Sequence, residues 1–482
     1  MSILLLFIIL SILILVVLGI SAFASRRSEE IAIIGASITL AMVILVAVEY
    51  ALLGFPLLKS ELTYYGHVTF GFIIDSLSIL ISIMVAINGF ATILFSQGYM
   101  SPANKEHPVK KEEVPRYYGW LLLFEASALG FIFSSTLLTM IIFFELTSLC
   151  SWALISYYGT PEARKAGLEA FIIAHIATIG LYVATGIVYI EVGSISIFDM
   201  MRLNNYTKTI VLACLLIATI GKSAQVPLHV WLPRAMVAPT PVSAYLHAAA
   251  MVKLGVYMMI RILLTCGFTE IIAYACIGIG IITMIYGCIM YFPQHDLKRL
   301  LAYSTITQLS YILIATGISA LDSNMALKGA IFHIFNHGFA KELFFLSVGA
   351  IAFATGTRFI NDLSGLKIRK DLSVGFTVAA LAIAGVPPFN CFWSKLLIIL
   401  GSYSTLTPLG IFVGTVMLIE SIVCFAWFLR IFSKCVSGDP SLTVRSAQSI
   451  PTVMKLILYL LVVLVIISPL FAGPFLSHII FY

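Results

Sequence analysis

The stretch GKSAQVPLHVWLPRAMVAPTPVSAYLHAAAMVKLGVY, residues 221–257, combines the features that decide the fold. It is mostly apolar, yet it contains Lys222 and Lys253 and is interrupted by Pro227 and Pro233. A helix needs about 20 apolar residues to cross the hydrocarbon core of a bilayer. Proline removes a backbone donor and frees a carbonyl, which in lipid must bond to neighbouring helices, water or an ion. The stretch therefore predicts a broken transmembrane helix beside buried positive charge.

The rest of the chain has the same apolar character. Of its 482 residues, 61% are hydrophobic and only 10% are charged, with a mean hydropathy of +1.06, whereas soluble domains carry about 25% charged residues. We predict an all-α polytopic membrane protein of about fourteen transmembrane helices. The predicted spans are 2–23, 31–54, 73–97, 118–135, 137–157, 166–190, 208–228, 242–265, 270–291, 299–319, 324–354, 374–400, 405–432 and 453–476.

The distribution of basic residues supports this count. With both termini on the outer side, most of the 28 lysines and arginines fall in inward-facing breaks, as the positive-inside rule requires. The polar segment 98–117 reads as a cytoplasmic loop, and the first apolar run, lacking a basic leader, reads as a span rather than a cleavable signal. The outward breaks receive only Lys59, Arg202, Lys208, Arg261 and Lys328.

A second broken helix is predicted at GVPPFNCFWSK, residues 385–395, where Pro387 and Pro388 stand near Lys395. The two broken spans, seven and twelve, are five spans apart, so two five-helix units would have inverted topology. We predict units of spans four to eight and nine to thirteen. The predicted division of the chain is 1–117, with three helices and the cytoplasmic loop, 118–265 and 266–432, with the two repeats, and 433–482, with the last helix. Ordinary proline kinks are the alternative.

Ionisable residues recur inside these apolar spans. Charge at the centre of a bilayer costs about 2.5–3.5 kcal/mol on insertion scales, so such residues persist when they are paired or hydrated. Glu145 has apolar neighbours in its span, as do Lys222 and Lys253. Further ionisable residues in or near spans are His247, Lys395, Glu125, Glu169, His175 and Glu420. A lone histidine or glutamate that caps a freed carbonyl is the structural alternative for His175, Glu125 or Glu420.

One span carries a regular stripe of such residues. His333, His337 and Lys341 are spaced i, i+4, i+8, which places them on one helix face over about 12 Å. Burial disfavours a lysine ammonium and a nearby carboxylate favours it, so the position of a partner such as Glu145 can switch a lysine between protonation states. Histidine titrates near neutral pH, whereas arginine does not release its proton. The pattern predicts a lateral chain of proton carriers.

The sequence contains no motif for metal binding, nucleotide binding or zinc-dependent catalysis. The eight cysteines are scattered, with no C-x-x-C pair, and the chain has no phosphate-binding loop and no zinc-binding helix. We therefore expect no cofactor and no metal in this chain.

Residues 221–257, together with DLKRLLAYSTITQLSYI at 296–312 and GVPPFNCFWSK at 385–395, resemble the antiporter-like subunits shared by respiratory complex I, multisubunit sodium/proton antiporters and membrane-bound hydrogenases. The resemblance covers roughly 70–435 and implies a fourteen-helix fold, inverted repeats and a hydrated axis. Residues that match family positions implicated in translocation are Glu145, Lys222, Lys253 and Lys395. Residues that match positions connecting the two half-channels are His247, His333, His337 and Lys341, while Asp75 and Asp296 match recurrent acidic positions.

The resemblance leaves three functions open. The stretch SPANKEHP followed by RYYGW looks most like the hydrogenase and formate hydrogenlyase branch. That reading implies a redox-driven pump in a prokaryotic cell membrane, whose peripheral cytoplasmic partner subunits hold iron–sulfur clusters and a nickel–iron site. The alternative is a sodium/proton antiporter subunit without redox partners, and the third is a membrane anchor whose carriers have decayed. In the first two cases we expect other membrane subunits, including antiporter-like ones, and the lipid bilayer as partners, and no nucleic acid.

Overall fold

The computed structural model describes residues 3–481, and most of them are helical. Long helices that are apolar enough to cross a membrane recur along these residues, so the chain is a polytopic α-helical membrane protein, as predicted. Its elements are α1 (Ile3–Ala24), α2 (Ser28–Leu52), β1 (Leu58–Tyr64), β2 (His67–Ile74), α3 (Ser76–Tyr99), α4 (Val114–Ile132), α5 (Leu137–Ile155), α6 (Pro161–Val192), α7 (Asn205–Lys222), α8 (Trp231–Arg234), α9 (Thr240–Tyr245), α10 (Val252–Cys266), α11 (Glu270–Ile289), α12 (Leu297–Ala320), α13 (Asn324–Thr355), α14 (Lys370–Ala384), α15 (Asn390–Tyr403), α16 (Pro408–Val436), α17 (Leu442–Arg445) and α18 (Thr452–Ser477).

Eleven helices within residues 3–481 are long and apolar enough to cross a membrane. One of them is continuous over Thr240–Cys266, where a π-helical turn, Leu246–Ala250, joins α9 to α10. The other three predicted spans fall on α4, on α7 and on the interrupted pair α14 and α15. The count of fourteen and the inverted repeats therefore stay predictions.

Both helix breaks lie where the prolines predict them. Helix α7 ends at Lys222 before the segment with Pro227, and α14 ends at Ala384, with Pro387 and Pro388 between it and α15. Side chains satisfy some of the freed backbone groups: Trp231 Nε1 donates to the carbonyl oxygen of Gly221 at 3.0 Å, and Thr283 Oγ1 accepts from the backbone amide of Val226 at 3.1 Å. The interruptions are thus built into the packing of the bundle, as an irregular backbone in lipid requires.

A two-stranded antiparallel hairpin, β1 and β2, precedes α3 and is an addition to the all-α prediction. It packs on the connections that follow α4 and α6, because the Ser135 amide donates to Gly71 O at 2.9 Å and Ser196 Oγ donates to Glu61 Oε1 at 2.7 Å. A Cβ atom at Gly71 would lie 2.3 Å from Ser135 Oγ, so this close approach requires glycine. The hairpin holds together the connections predicted to face outward.

The basic connections meet at the opposite end of the helices. Arg358 Nη1 lies 2.8 Å from Glu106 Oε1, which joins the segment after α13 to the segment after α3. Lys298 Nζ donates to Ala238 O at 2.6 Å, which joins the start of α12 to the segment after α8. We call this end the basic-loop face. Its composition agrees with the predicted topology, and its assignment to the cytoplasm stays a prediction.

Arg261 corrects the predicted topology at one position. It was placed in an outward break, but it lies inside α10 and is fully buried. Its guanidinium forms an ion pair with Asp75, the N-cap of α3, and Nη2 lies 2.9 Å from Asp75 Oδ1. Buried charges of this kind are tolerated when they are paired. A hydropathy pattern missed the arrangement because the partner is distant in sequence.

Three spans form the interior of the molecule. In the Thr240–Cys266 span, α12 and α13, 94% of the apolar window is buried inside the chain, whereas the corresponding share is 33% in α6, α16 and α18. Helix α13 packs against α3, α12, α14, α15 and α18. Two of these three interior spans, Thr240–Cys266 and α13, hold most of the predicted carriers, and α12 packs against both.

Candidate ion-translocation path

Lys222 ends α7 and is fully buried against one turn of α5. Its Nζ donates to Phe144 O at 2.6 Å and to Ser148 Oγ at 2.7 Å, and it lies 4.3 Å from the centre of the Phe144 ring. Lys222 is therefore held by neutral acceptors.

Glu145 has a different partner from the one predicted. Within residues 3–481 its carboxylate forms an ion pair with His175 of α6, with Oε1 3.0 Å from Nδ1, and forms no ion pair with Lys222. The His175 side chain is 51% exposed and also stacks on Phe171. The sequence pointed to both residues but could not pair them, because that depends on the rotation of α6 against α5.

Lys253 lies where three helices meet. It is buried in the first turn of α10, and its Nζ donates to Ile334 O of α13 at 2.8 Å and lies 3.6 Å from Met84 Sδ of α3. His247, in the π-helical turn just before, is fully buried with its ring 4.6 Å from that of Phe345. Thus α10 brings a lysine and a histidine against the central helix α13.

The predicted stripe on α13 is present. His333 bonds through Nδ1 to Ser394 Oγ at 2.9 Å and through Nε2 to Gln308 Oε1 at 3.0 Å. The His337 ring stacks on that of His333, with the centroids 5.5 Å apart. Lys341 Nζ donates to Leu301 O of α12 at 2.9 Å. The stripe faces α12 and α15.

Lys395 closes the series in α15. Its Nζ donates to Ile383 O, just before the break after α14, at 3.2 Å, and lies 5.2 Å from the centre of the Tyr311 ring. The Tyr311 hydroxyl lies 2.6 Å from Glu420 Oε2, so a carboxylate stands one aromatic ring away. As at Lys222, a buried ammonium next to a helix break bonds to a backbone carbonyl.

Two members of the series have no protein partner for their ring nitrogens. Neither nitrogen of His247 or of His337 has a hydrogen-bond partner within residues 3–481, although both residues are fully buried. Buried polar groups are almost always satisfied, and water does so where protein does not. Hydrated imidazoles at these positions would connect the lysines that flank them.

Other predicted ionisable residues have different surroundings. Glu169 forms an ion pair with the exposed Arg234 at the edge of the bundle, away from the series. Asp296 caps α12 and lies 2.9 Å from Arg358 Nε on the basic-loop face. Glu125 is buried with no protein partner for either carboxyl oxygen within residues 3–481.

The sequence reasoning missed several polar neighbours. Gln308, Tyr311 and Ser394 bond to or cover predicted carriers, but each is an ordinary residue in an amphipathic pattern. Glu342 was also missed, although its position next to Lys341 in an apolar helix was a signal of the kind applied elsewhere. It is fully buried, and Thr92 Oγ1 donates to its Oε1 at 2.6 Å.

The fold and the site define a class: a polytopic membrane protein with a series of buried lysines and histidines that crosses the bundle from one broken helix to another. Comparison with known families gives the particular one. The family model described as NADH:quinone oxidoreductase/Mrp antiporter, TM matches residues 134–419, and a model described as NADH-Ubiquinone oxidoreductase (complex I), chain 5 N-terminus matches residues 63–110. The chain belongs to the NADH:quinone oxidoreductase/Mrp antiporter transmembrane family.

Curated relatives include proteins named putative antiporter subunit mnhA2 from Staphylococcus aureus strains JH9 and N315. Each is 36% identical to this chain over 340 residues, which are 67% of this chain and 42% of the relative. The chain thus spans less than half the length of these relatives.

Solved structures share the fold. A chain in the structure of the Mrp complex from Dietzia sp. DQ12-45-1b matches 99% of this chain with 52% of its own length, at a TM-score of 0.84 and 24% identity. A chain in the structure of the membrane-bound sulfane sulfur reductase, an archaeal respiratory membrane complex, matches 98% of this chain with 96% of its own length, at a TM-score of 0.83 and 22% identity. At these identities the likeness is one of fold.

Proposed function

We propose that this chain is the proton-translocating subunit of a multisubunit Na⁺/H⁺ antiporter in the cell membrane of a prokaryote. One observation carries the proposal: the four buried lysines of the candidate path each donate from Nζ to a backbone carbonyl, and within residues 3–481 none of these four forms an ion pair with a carboxylate. The four are Lys222, Lys253, Lys341 and Lys395.

The acceptors suit a proton carrier. A carboxylate would hold the ammonium charged, whereas a carbonyl accepts a hydrogen bond from an ammonium and from a neutral amine alike. Each lysine can therefore lose its proton and keep its position. Because burial opposes the charged form, a small change in the surrounding field decides which form is present.

Glu145 supplies such a change in this proposal. Its carboxylate neighbours Phe144, whose carbonyl binds Lys222, and its partner His175 is half exposed at the surface of the chain. A neighbouring subunit that contacts His175 would alter the field of Glu145 at Lys222. The proton released from Lys222 would pass to Lys253 and then to Lys341.

The curated relatives support the antiporter as the type of complex, because they are named antiporter subunits at 36% identity. The redox-driven reading, with iron–sulfur and nickel–iron sites in peripheral partners, is the second candidate. It is favoured by the fold shared with a chain of an archaeal respiratory complex. The two candidates give this chain the same role and differ in what drives it.

Gentle affinity purification from native membranes, followed by mass spectrometry and metal analysis, separates them. We expect membrane partners without nickel or iron. Everted vesicles holding the complex should then lose an imposed pH gradient when Na⁺ is added, and vesicles with the Lys222→Ala variant should keep it. Nickel and iron that co-purify with peripheral subunits would instead support the hydrogenase type. A Na⁺ response that persists unchanged in the variant would overturn the role given to this chain.

A further inference from the structure

A polar stripe follows one face of α3. Asn88, Thr92, Ser96 and Tyr99 are spaced i, i+4, i+8, i+11, and all four are fully buried. At 1.5 Å per residue the stripe extends about 16 Å along the helix. A buried polar stripe in an apolar span requires polar partners on the helices that cover it.

The stripe reaches the basic-loop face through Tyr99. Its hydroxyl lies 3.2 Å from Glu106 Oε2 and 3.1 Å from Thr240 Oγ1. Glu106 belongs to the segment after α3 and also pairs with Arg358, and its side chain retains 9% exposure. The Glu106 carboxylate therefore stands at the end of the stripe that lies on the basic-loop face, within reach of water.

Further inside, the stripe bonds to α4 and α13. The Ser96 and Tyr117 hydroxyls lie 2.7 Å apart. One turn deeper, Thr92 Oγ1 donates to Glu342 Oε1 at 2.6 Å, while Glu342 Oε2 has no protein partner within residues 3–481. The inner end of the stripe is thus a second carboxyl group, which is fully buried.

Glu342 lies close to the lysine series. Gly338, one turn before it on α13, faces Lys253, because a Cβ atom at Gly338 would lie 3.0 Å from Lys253 Nζ. The four residues from Gly338 to Glu342 correspond to about 6 Å along the helix axis. Helix α13 therefore presents two polar faces: one with His337 and Lys341 toward α12 and α15, and one with Glu342 toward α3 and Lys253.

Unpartnered polar groups surround the inner half of the stripe. The Asn88 side-chain amide, both Glu125 carboxyl oxygens and the Tyr245 hydroxyl are buried without a protein partner within residues 3–481. The Glu125 carboxyl lies against α3 next to Asn88, because a Cβ atom at Gly89 would meet its carboxyl carbon at 2.6 Å. Leaving such a group unsatisfied costs about 1–3 kcal/mol. Water bound at these groups would remove that cost.

We propose that Glu106, Tyr99, Ser96, Thr92 and Glu342 form a second access branch, which carries protons between the basic-loop face and Lys253. A proton taken up by the Glu106 carboxylate passes through hydroxyl groups and water, each of which can accept one hydrogen bond while it donates another. It protonates the Glu342 carboxylate, which transfers it to the neutral amine of Lys253. Only O–H and N–H bonds form and break. The inference rests on the proposed function, because it needs Lys253 to exchange protons.

The test uses everted vesicles that hold the intact complex, with assembly checked on native gels. Glu342→Gln keeps the shape of the side chain but cannot carry a proton, and Thr92→Val removes its hydroxyl partner. Ser82→Ala is the matched control, because Ser82 is buried in the same helix and bonds only to Ile79 O of its own helix. Lys222→Ala reports separately on the proposed function.

We expect Glu342→Gln to lower the initial transport rate about tenfold, less than the ~100-fold or more lost with a positioned acid–base group, because water carries part of the flux. Thr92→Val should lower it less, and Ser82→Ala should match the wild type. Glu342→Asp should restore part of the rate with a displaced pH profile, which a packing role would not produce.

The outcomes separate the two proposals. Wild-type rates in both Glu342→Gln and Thr92→Val, with Lys222→Ala inactive, would overturn the access branch and leave the proposed function standing. Wild-type transport in Lys222→Ala would overturn the proposed function itself. If Glu342→Gln fails to assemble, the rate of Thr92→Val against Ser82→Ala decides.

Discussion

The region around α5, α6 and α7 and the region around α14, α15 and α16 each combine a helix break, a buried lysine and a nearby glutamate. Their glutamates differ. Glu145 is 20% exposed and pairs with the half-exposed His175, whereas Glu420 is 4% exposed and lies 2.6 Å from the Tyr311 hydroxyl and 3.3 Å from that of Tyr291. The first carboxylate can be influenced from outside this chain, while the second is held within it.

This difference in exposure predicts that the two regions respond differently to neighbouring subunits. An ion pair that faces hydrocarbon is costly, so we predict that a partner subunit covers the surface around His175. Lys395 lines a surface groove between α15 and α16 with Pro387, Phe392 and Phe425. The groups that contact its ammonium, Ile383 O and the Tyr311 ring, belong to this chain. A signal from a neighbouring subunit is therefore expected to act at Lys222 rather than at Lys395.

The largest effect is expected from removing either lysine. Lys222→Ala and Lys395→Ala should each reduce coupled transport to background, because a series of carriers fails at any missing member. Transport in vesicles is the measurement, and Lys367→Ala, on the exposed basic-loop face, is the control. Full transport in one of the two variants would show that its lysine is not needed, and would restrict the path to the half of the molecule that contains the other lysine.

A smaller effect, on stability, is expected in the region around Glu420, whose carboxylate is held within the chain. Tyr311→Phe leaves Glu420 Oε2 and Met417 O without this hydroxyl, which should cost about 1–3 kcal/mol and lower the midpoint of thermal denaturation of the purified complex. Tyr403→Phe is the control, because the Tyr403 hydroxyl meets only Thr415 at an exposed site. An unchanged midpoint in Tyr311→Phe would show that Glu420 is not held as the contacts indicate.

The smallest effect is expected in the region around Glu145, whose partner His175 is half-exposed. His175→Gln keeps a polar side chain beside Glu145 but cannot become charged. We expect transport to fall about fivefold, at the lower end of the 1–3 kcal/mol range typical of coupling between sites, with thermal stability unchanged. The rate measured against Glu169→Gln, another surface position on α6, checks this. A fall in stability without a fall in rate would make His175 a packing residue.

The sequence predicted the fold where hydropathy and proline carry the information. Apolar runs located the long helices, and Pro227 and Pro387 located the breaks. Arg261 was misplaced and the hairpin was missed, because a buried charge and a short strand pair depend on distant partners. Local patterns do not contain those contacts.

For the candidate path, the sequence predicted which side chains are buried and ionisable but not what they bond to. The i, i+4, i+8 spacing was sufficient to place His333, His337 and Lys341 on one face. The pairing of Glu145 with His175 and the four carbonyl acceptors depend on how neighbouring helices are rotated. Glu342 was overlooked because it is adjacent to Lys341. Adjacent residues on a helix point to different faces, so the two side chains have separate surroundings.

The central claim is that protons move because the buried lysines lose and regain them. Lys222→Arg tests it most directly, because arginine keeps the positive charge and can donate to Phe144 O and Ser148 but does not release its proton. With assembly of the complex shown on native gels, we predict that Na⁺-dependent proton transport in vesicles falls to the level of Lys222→Ala. Transport at the wild-type rate would mean that only the charge of Lys222 matters, and would contradict the claim.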